Sequence, residues 1–184
     1  MSMTYLYLGM AIVIALIVYF YYISLRKKKI PRTNSLYTDA LNAMVNGDLS
    51  NAISLLKQVV KQDSNHVRAY LQLGNILRKE NPEQALKIHQ SLTVRPNLPR
   101  DIQVDIHTAL AEDYGFISNY KKAIEEAKLV LAIEKRNLWA LNFLINISVE
   151  NQNWEEAIGW TKQLQKITGK TTSEDEAKFD VFKG

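Results

Sequence analysis

Apolar residues recur with the period of an α-helix through most of the chain, and the pattern is clearest in residues 69–85. There Tyr70, Leu73, Gly74 and Leu77 fall on one stripe of a helix, because they stand at positions i, i+3, i+4 and i+7. A glycine inside a helix is about 1 kcal/mol less favourable than alanine. Its presence in the stripe therefore indicates that another segment of backbone packs closely against it.

A second helix is predicted directly after this stripe. Asn81 is a favourable N-cap residue, and Pro82 suits the first helical position. Ala85 is the small residue of this second helix. We therefore expect two antiparallel helices that pack around a contact between Gly74 and Ala85.

The same unit recurs along the chain. Alanines that follow a polar turn stand at positions 52, 85, 123 and 157, at intervals of 33, 38 and 34 residues. A period near 34 with helix–turn–helix content is typical of the tetratricopeptide repeat, which the chain resembles from about Leu36 to Lys166. The sequence thus predicts an all-α solenoid of about four helical hairpins.

The repeats are expected at about residues 36–64, 67–95, 100–135 and 138–168, within a solenoid that covers residues 35–172. Residues 173–184 read as the start of a further helix, because Ser173 and Glu176 form a capping box ahead of an apolar stripe. We expect the chain to be truncated within this further unit.

The N-terminus has a different pattern. Residues 1–25 carry no charge, and Tyr5–Ser24 is 20 residues long. A helix of that length spans about 30 Å, the thickness of one bilayer core. Tyrosines cluster at both of its ends, as in interfacial aromatic belts. We therefore predict a transmembrane anchor at 1–25 rather than a cleaved signal peptide, since the stretch has neither a basic n-region nor a small-residue cleavage site.

The basic cluster of Arg26, Lys27, Lys28 and Lys29 follows the apolar run. By the positive-inside rule it places the N-terminus outside and the repeats in the cytoplasm of a single-pass inner-membrane protein. The cluster is also expected to contact anionic lipid. With Arg32 it holds five of the 23 basic residues, which leaves 18 against 19 acidic residues elsewhere. The high isoelectric point thus does not indicate a nucleic-acid partner.

Residues 26–34 form the expected linker between anchor and solenoid. Its last part, Ile30–Asn34, reaches at most about 17 Å. We therefore expect the repeats to lie against the cytoplasmic leaflet, where their partners would be membrane proteins or proteins recruited to the membrane.

Catalytic chemistry is not predicted. The three histidines, His66, His89 and His107, fall on different helices or helix ends and show no metal-ligand spacing with acidic residues. Cysteine is absent. No phosphate-binding glycine loop or nucleophile elbow is present. We therefore expect a non-enzymatic protein without cofactor, metal or small-molecule substrate.

A binding surface is predicted instead. In stacked helical hairpins the first helices line a concave groove, and its side chains are those outside the packing stripe. The predicted partner-binding groove comprises Tyr37, Leu41, Met44, Arg68, Leu71, Asn75, Arg78, Lys79, Glu112, Phe116, Asn142 and Asn146. A merely solvated face is the alternative interpretation. Leu71 stands where chaperone-binding repeats are expected to carry a lysine, which argues against a receptor for chaperone tails.

The amino-acid sequence of the repeats is similar to the N-terminal part of the lipopolysaccharide assembly protein B family of Gram-negative bacteria. The similarity lies in L-G-N-I-L-R at 73–78, I-H-Q-S-L at 88–92, L-A-E-D-Y at 110–114 and the stretch from Ala140 to Lys166. The anchor, basic flank and short linker add to it.

The resemblance implies an inner-membrane adaptor. It implies protein clients, among them the deacetylase that commits the cell to lipid A synthesis, and a membrane protease partner such as FtsH. Members of that family also carry a rubredoxin-like domain with four cysteines, and this sequence has none. Three other functions stay open: a targeting receptor, a structural subunit of another membrane complex, and an enzyme whose catalytic domain lies beyond this sequence.

Overall fold

The computed structural model describes residues 32–169, together with Tyr5, Tyr7, Met10 and residues 12–19. Between residues 32 and 169 the chain forms eight helices: α1 (Arg32–Val45), α2 (Leu49–Gln62), α3 (Val67–Leu77), α4 (Pro82–Thr93), α5 (Arg100–Phe116), α6 (Tyr120–Ile133), α7 (Leu138–Glu150) and α8 (Trp154–Thr168). Each helix packs against its neighbours in sequence, and α3 also contacts α5 directly.

The eight helices form consecutive hairpins, in which α1, α3, α5 and α7 are the first helices and α2, α4, α6 and α8 are the second helices. The all-helical repeat fold predicted from the sequence is confirmed. Contact between α3 and α5 brings first helices of successive hairpins side by side, which is the arrangement that builds a concave surface in helical solenoids.

Polar side chains cap six of the eight helices. Asn81 accepts a hydrogen bond from the Gln84 N–H at 3.1 Å, and Pro82 follows at the first helical position. Asn119, Asn137 and Asn153 cap α6, α7 and α8 in the same way. Each cap satisfies one of the N–H groups that a helix start leaves without an intrahelical partner. The short polar turns of the sequence thus set the hairpin boundaries.

Replacing the cap of the last described helix tests this account. Asn153→Ala removes the acceptor for the Glu156 N–H, which lies 3.3 Å from Asn153 Oδ1. We expect the free energy of unfolding to fall by about 1 kcal/mol, measured by urea denaturation. Asn151→Ala is the matched control, because Asn151 is exposed and ends α7 through its backbone. Equal losses in both variants would contradict the capping role.

The signature alanines form the floor of each hairpin. Ala52, Ala85 and Ala123 are 0% exposed and Ala157 is 3% exposed. Ala85 packs in one cluster with Leu73 and Leu77. The sequence predicted that Gly74 packs against Ala85, but another residue of α4 comes closest to the glycine.

At Gly74 the close neighbour is the imidazole of His89. A Cβ added to Gly74 would lie only 2.3 Å from His89 Nε2. The glycine is therefore needed because an aromatic ring from α4, one turn beyond Ala85, occupies the space that a side chain would fill. The sequence predicted Ala85 as the close neighbour of Gly74, whereas the three atoms nearest to the added Cβ all belong to the His89 ring.

Two boundaries differ from the sequence expectations. Helix α1 begins at Arg32, inside the stretch expected to be linker. Residues 94–99 separate α4 from α5 and include Asn97 at a φ of 56°. The predicted further helix at 173–184 lies outside the described residues.

The predicted transmembrane anchor lies mostly outside the described residues. Its described apolar side chains are all exposed, from Ile14 at 53% to Tyr5 at 67%. In the portion of the chain that is described, we find no helix with both the length and the apolar content needed to cross a bilayer. The basic cluster at 26–29 falls outside that portion as well.

Candidate binding groove

The first helices of repeats two to four line two adjoining cavities. The polar cavity, of about 220 Å³, lies between α3 and α5 and is lined by Leu71, Gln72, Asn75, Asp105, Thr108, Ala109 and Glu112. The aromatic cavity, of about 470 Å³, continues towards α7 and is lined by Arg78, Glu112, Gly115, Phe116, Phe143, Asn146, Ile147 and Glu150. Glu112 borders both cavities, so they lie next to each other along the first helices.

The aromatic cavity combines an apolar floor with polar walls. Phe143 stacks on Trp139 with ring centroids 5.0 Å apart. Phe116 stands at the rim with 51% of its surface exposed. A Cβ on Gly115 would lie 3.4 Å from the Phe143 ring, in van der Waals contact, so the backbone of α5 lies close to that ring. The cavity can therefore accept an apolar side chain.

Six of the twelve residues predicted for the groove line these cavities: Leu71, Asn75, Arg78, Glu112, Phe116 and Asn146. The other six do not. Arg68 forms an exposed ion pair with Asp101 at 3.0 Å. Asn142 donates to the Leu138 carbonyl of its own helix at 2.8 Å, and Lys79 is exposed beside the turn after α3.

Several predicted groove side chains are packed rather than free. Leu71 is only 4% exposed and belongs to the core that α3 shares with α4 and α5. Tyr37 and Met44 pack against the core of the first two hairpins. The Tyr37 ring lies 4.6 Å from that of His66, and burial raises the pKa of Tyr37, which Arg68 partly opposes. These residues offer little surface to a partner.

Sequence reasoning missed other residues of the two cavities. Asp105 and Thr108 lie in the polar cavity, and Phe143 and Glu150 lie in the aromatic cavity. Asp105 precedes Glu112 by seven residues, which is two helical turns. Extending the stripe of Glu112 backwards along α5 would therefore have found it.

Beneath the groove lies a buried polar network that joins repeats two and three. Arg78 Nε donates to Asp113 Oδ1 at 2.6 Å, and Arg78 also pairs with Glu112 at 2.7 Å. His89 Nδ1 lies 2.5 Å from Asp113 Oδ2. The side chains of His89 and Asp113 are both 0% exposed. The network thus ties α3 and α4 to α5.

Both nitrogens of His89 face acceptors. Nδ1 faces the Asp113 carboxylate, and Nε2 lies 3.2 Å from the carbonyl oxygen of Leu71. Arg78, in turn, pairs with the carboxylates of both Glu112 and Asp113. Arg78 is therefore a structural residue, although it also forms part of the cavity wall.

The other two histidines also have local roles. His66 caps α3, because its Nδ1 accepts from the Ala69 N–H at 3.2 Å. His107 pairs with Glu126 at 2.7 Å and so links α5 to α6. Among the described residues, no group of three or more histidines and acids has an arrangement that could hold a metal ion.

Burial raises the pKa of Asp105 above its ordinary value. Arg68 opposes this rise, whereas the negative charges of Asp101 and Glu134 add to it. The ionised carboxylate is therefore less favourable in the folded protein than in the unfolded chain. Its penalty is present at neutral pH and disappears once the carboxyl group is protonated in both states.

Asp105→Asn should remove this penalty. At neutral pH we expect the variant to be at least as stable as the parent protein towards urea. The stability advantage should shrink as the pH falls towards the unfolded pKa of aspartate, about 3.9, because the parent protein then gains the proton that its folded state binds more tightly. Urea unfolding at a series of pH values measures the difference in free energy of unfolding between the variant and the parent protein. An advantage that grows in acid would contradict this sign.

The sequence similarity inferred from the repeat motifs is confirmed. Lipopolysaccharide assembly protein B of Escherichia coli (strain K12) is 25% identical over 132 residues, which cover 71% of this chain and 34% of that protein. The protein of the same name from Haemophilus influenzae is 26% identical over 142 residues, 71% of this chain and 35% of its own length. The chain thus spans about a third of the length of the curated relatives it matches. No family model matches it.

Solved structures show the same fold at low sequence identity. MamA, residues 41 to the end, from Desulfovibrio magneticus RS-1 superposes with a TM-score of 0.66 at 17% identity, covering 77% of this chain and 78% of that one. A tetratricopeptide repeat protein from Parabacteroides merdae superposes with a TM-score of 0.64 at 19% identity, covering 76% of this chain and 55% of that one. The chain therefore has the tetratricopeptide-type fold.

Proposed function

We propose that this chain, which is similar to lipopolysaccharide assembly protein B, is a non-enzymatic adaptor that binds client proteins along the groove of its first helices. The observation that carries this proposal is the pair of adjoining cavities, one polar and one aromatic, along α3, α5 and α7. Adjoining cavities across three successive first helices suit an extended or helical segment of another protein. A compact small molecule would fill only one of the two cavities.

We further propose that the adaptor works at the cytoplasmic face of a bacterial inner membrane. The exposed apolar side chains between Ile12 and Tyr19 support this, because a continuous apolar surface needs lipid or protein to cover it. The basic residues at 26–29 would then lie next to the anionic leaflet. In this arrangement the groove holds its client close to a membrane partner.

The client class that the likeness favours is an enzyme of lipid A synthesis, presented to a membrane protease of the FtsH type. In this role the chain restrains lipopolysaccharide production by shortening the lifetime of its client. The relatives' name supports a part in lipopolysaccharide assembly. The client enzyme and the protease partner are what the family resemblance implies.

The test measures how much of the deacetylase that commits the cell to lipid A synthesis is present in the source bacterium. Extra copies of the parent chain should lower that abundance. A groove variant, Phe116→Ala with Asn146→Ala, should not, because it removes two exposed walls of the aromatic cavity. Leu129→Ala is the control, since Leu129 is 44% exposed on the second helix α6 and lines neither cavity. An unchanged abundance with the parent chain would overturn the proposed regulation.

A targeting receptor receives less support from the groove. That function would be favoured by one hydrophobic patch made by Leu41, Met44 and Phe116. Phe116 lines the aromatic cavity, but Leu41 and Met44 line neither of the two cavities. The groove therefore gives the receptor less support than it gives the adaptor.

A further inference from the structure

We infer that the groove selects a client segment in which a lysine or arginine stands next to an apolar residue. The basic side chain would enter the polar cavity beside Asp105, and the apolar side chain would enter the aromatic cavity between Phe116 and Phe143. This inference rests on the proposed adaptor function and specifies the chemistry of its partner.

The charge of the groove favours a basic partner. The two cavities contain three acidic residues, Asp105, Glu112 and Glu150, and one basic residue, Arg78. Arg78 is already engaged by Glu112 and by the buried Asp113. Its charge is therefore not available to an acidic ligand.

Asp105 and Glu150 keep their charges unbalanced. Within residues 32–169, neither carboxylate lies within ion-pair distance of a lysine or arginine. Arg68, whose charge acts to lower the pKa of Asp105, is itself paired with Asp101 at 3.0 Å. An incoming ammonium or guanidinium group would offset the repulsion that Asp101 and Glu134 exert on Asp105, whereas a carboxylate would add to it.

The neighbouring cavity selects for an apolar side chain. Phe116 is half exposed, and the ring of Phe143, which stacks on Trp139, also lines the cavity. Covering exposed aromatic surface with an aliphatic or aromatic side chain removes both from water. Because Glu112 borders both cavities, the basic and the apolar side chains of the ligand would be neighbours along the segment.

The experiment measures binding of short fluorescent peptides to the full chain in detergent micelles by fluorescence anisotropy. The peptides share one central leucine, which is flanked by lysines, by glutamines or by glutamates. The lysine peptide should bind about tenfold more tightly than the glutamine peptide, which corresponds to about 1.4 kcal/mol. The glutamate peptide should bind more weakly than both. Equal or tighter binding of the glutamate peptide would overturn the inference.

Two variants localise the binding. Asp105→Asn should weaken the lysine peptide roughly three- to fivefold and leave the glutamine peptide nearly unchanged, as expected for the loss of one partly exposed charge. Phe116→Ala should weaken both peptides at least roughly fivefold, because it removes an aromatic anchor. Folding of each variant is checked by its thermal unfolding curve.

The matched controls are Asp39→Asn and Leu129→Ala. Asp39 is an exposed aspartate on α1, and Leu129 is an exposed leucine on α6. Neither should change the affinity for any peptide. A control that weakens the lysine peptide as much as its groove counterpart would overturn the assignment of this site.

This test is separable from that of the proposed function. If the chain lowers deacetylase abundance but shows no preference for lysine peptides, the adaptor function stands and the partner chemistry is wrong. If it prefers lysine peptides through Asp105 and Phe116 but does not affect the deacetylase, the site stands and the proposed regulation is wrong.

Discussion

Asp113→Ala is expected to lower the free energy of unfolding by about 3–5 kcal/mol. The Asp113 side chain is completely buried and holds both Arg78 and His89. Its removal leaves a guanidinium group that is only 15% exposed and an imidazole that is not exposed at all. Neither group can be resolvated without opening the contact between α3, α4 and α5, so the loss should be large.

Urea denaturation of the two aspartate variants Asp113→Ala and Asp101→Ala measures this effect against a matched control. Asp101 also pairs with an arginine of α3, Arg68, but the side chains of that pair are 56% and 62% exposed. An exposed pair contributes about 0–1 kcal/mol. Similar losses in both variants would show that the buried network does not hold repeats two and three together.

Gly74→Ala is expected to destabilise the protein by about 1–3 kcal/mol, although alanine is the better helix former. The new methyl group would lie 2.3 Å from His89 Nε2. The ring would have to move away, and its hydrogen bonds to the Leu71 carbonyl and to Asp113 would be broken or lengthened. The measured quantity is the change in the midpoint and free energy of urea unfolding.

Gly159→Ala gives the same substitution with the opposite expected sign. Gly159 lies inside α8, and nothing stands within 4 Å of a Cβ placed there. The variant should be more stable by about 0.5–1 kcal/mol, because only the helix preference changes. In a His89→Ala background the penalty of Gly74→Ala should largely disappear. A penalty that persists there would mean that the ring is not the cause.

The buried network also bears on how the groove can be probed. Arg78→Glu is the obvious charge reversal from the sequence alone, because Arg78 falls on the predicted groove stripe. It would place an acid beside Asp113 and Glu112, so it would report on folding rather than on binding. Asp105 and Phe116 are better probes, since neither has a hydrogen bond or ion pair within the described region whose loss would open the core.

The repeat architecture could be predicted from the sequence because it is encoded locally. Helical spacing of apolar residues, asparagine caps and recurring alanines each involve residues within a few turns of one another. Asn81 and Pro82, for example, begin α4 where the turn chemistry indicates. The side of the hairpins that faces the groove follows from the same periodicity, which is why half of the predicted groove residues line its cavities.

The tertiary structure decided which of those residues are buried and with which residues they pair. Arg78 and Asp113 are 35 residues apart, and His89 and Asp113 are 24 apart. Their meeting depends on how α3, α4 and α5 pack and on which rotamers fit between them, and no spacing along one helix records this. For the same reason the sequence alone indicated a small residue at Gly74 but not the ring above it. It placed Leu71 and Arg78 on the groove stripe, and only packing showed that one is core and that the charge of the other is already balanced.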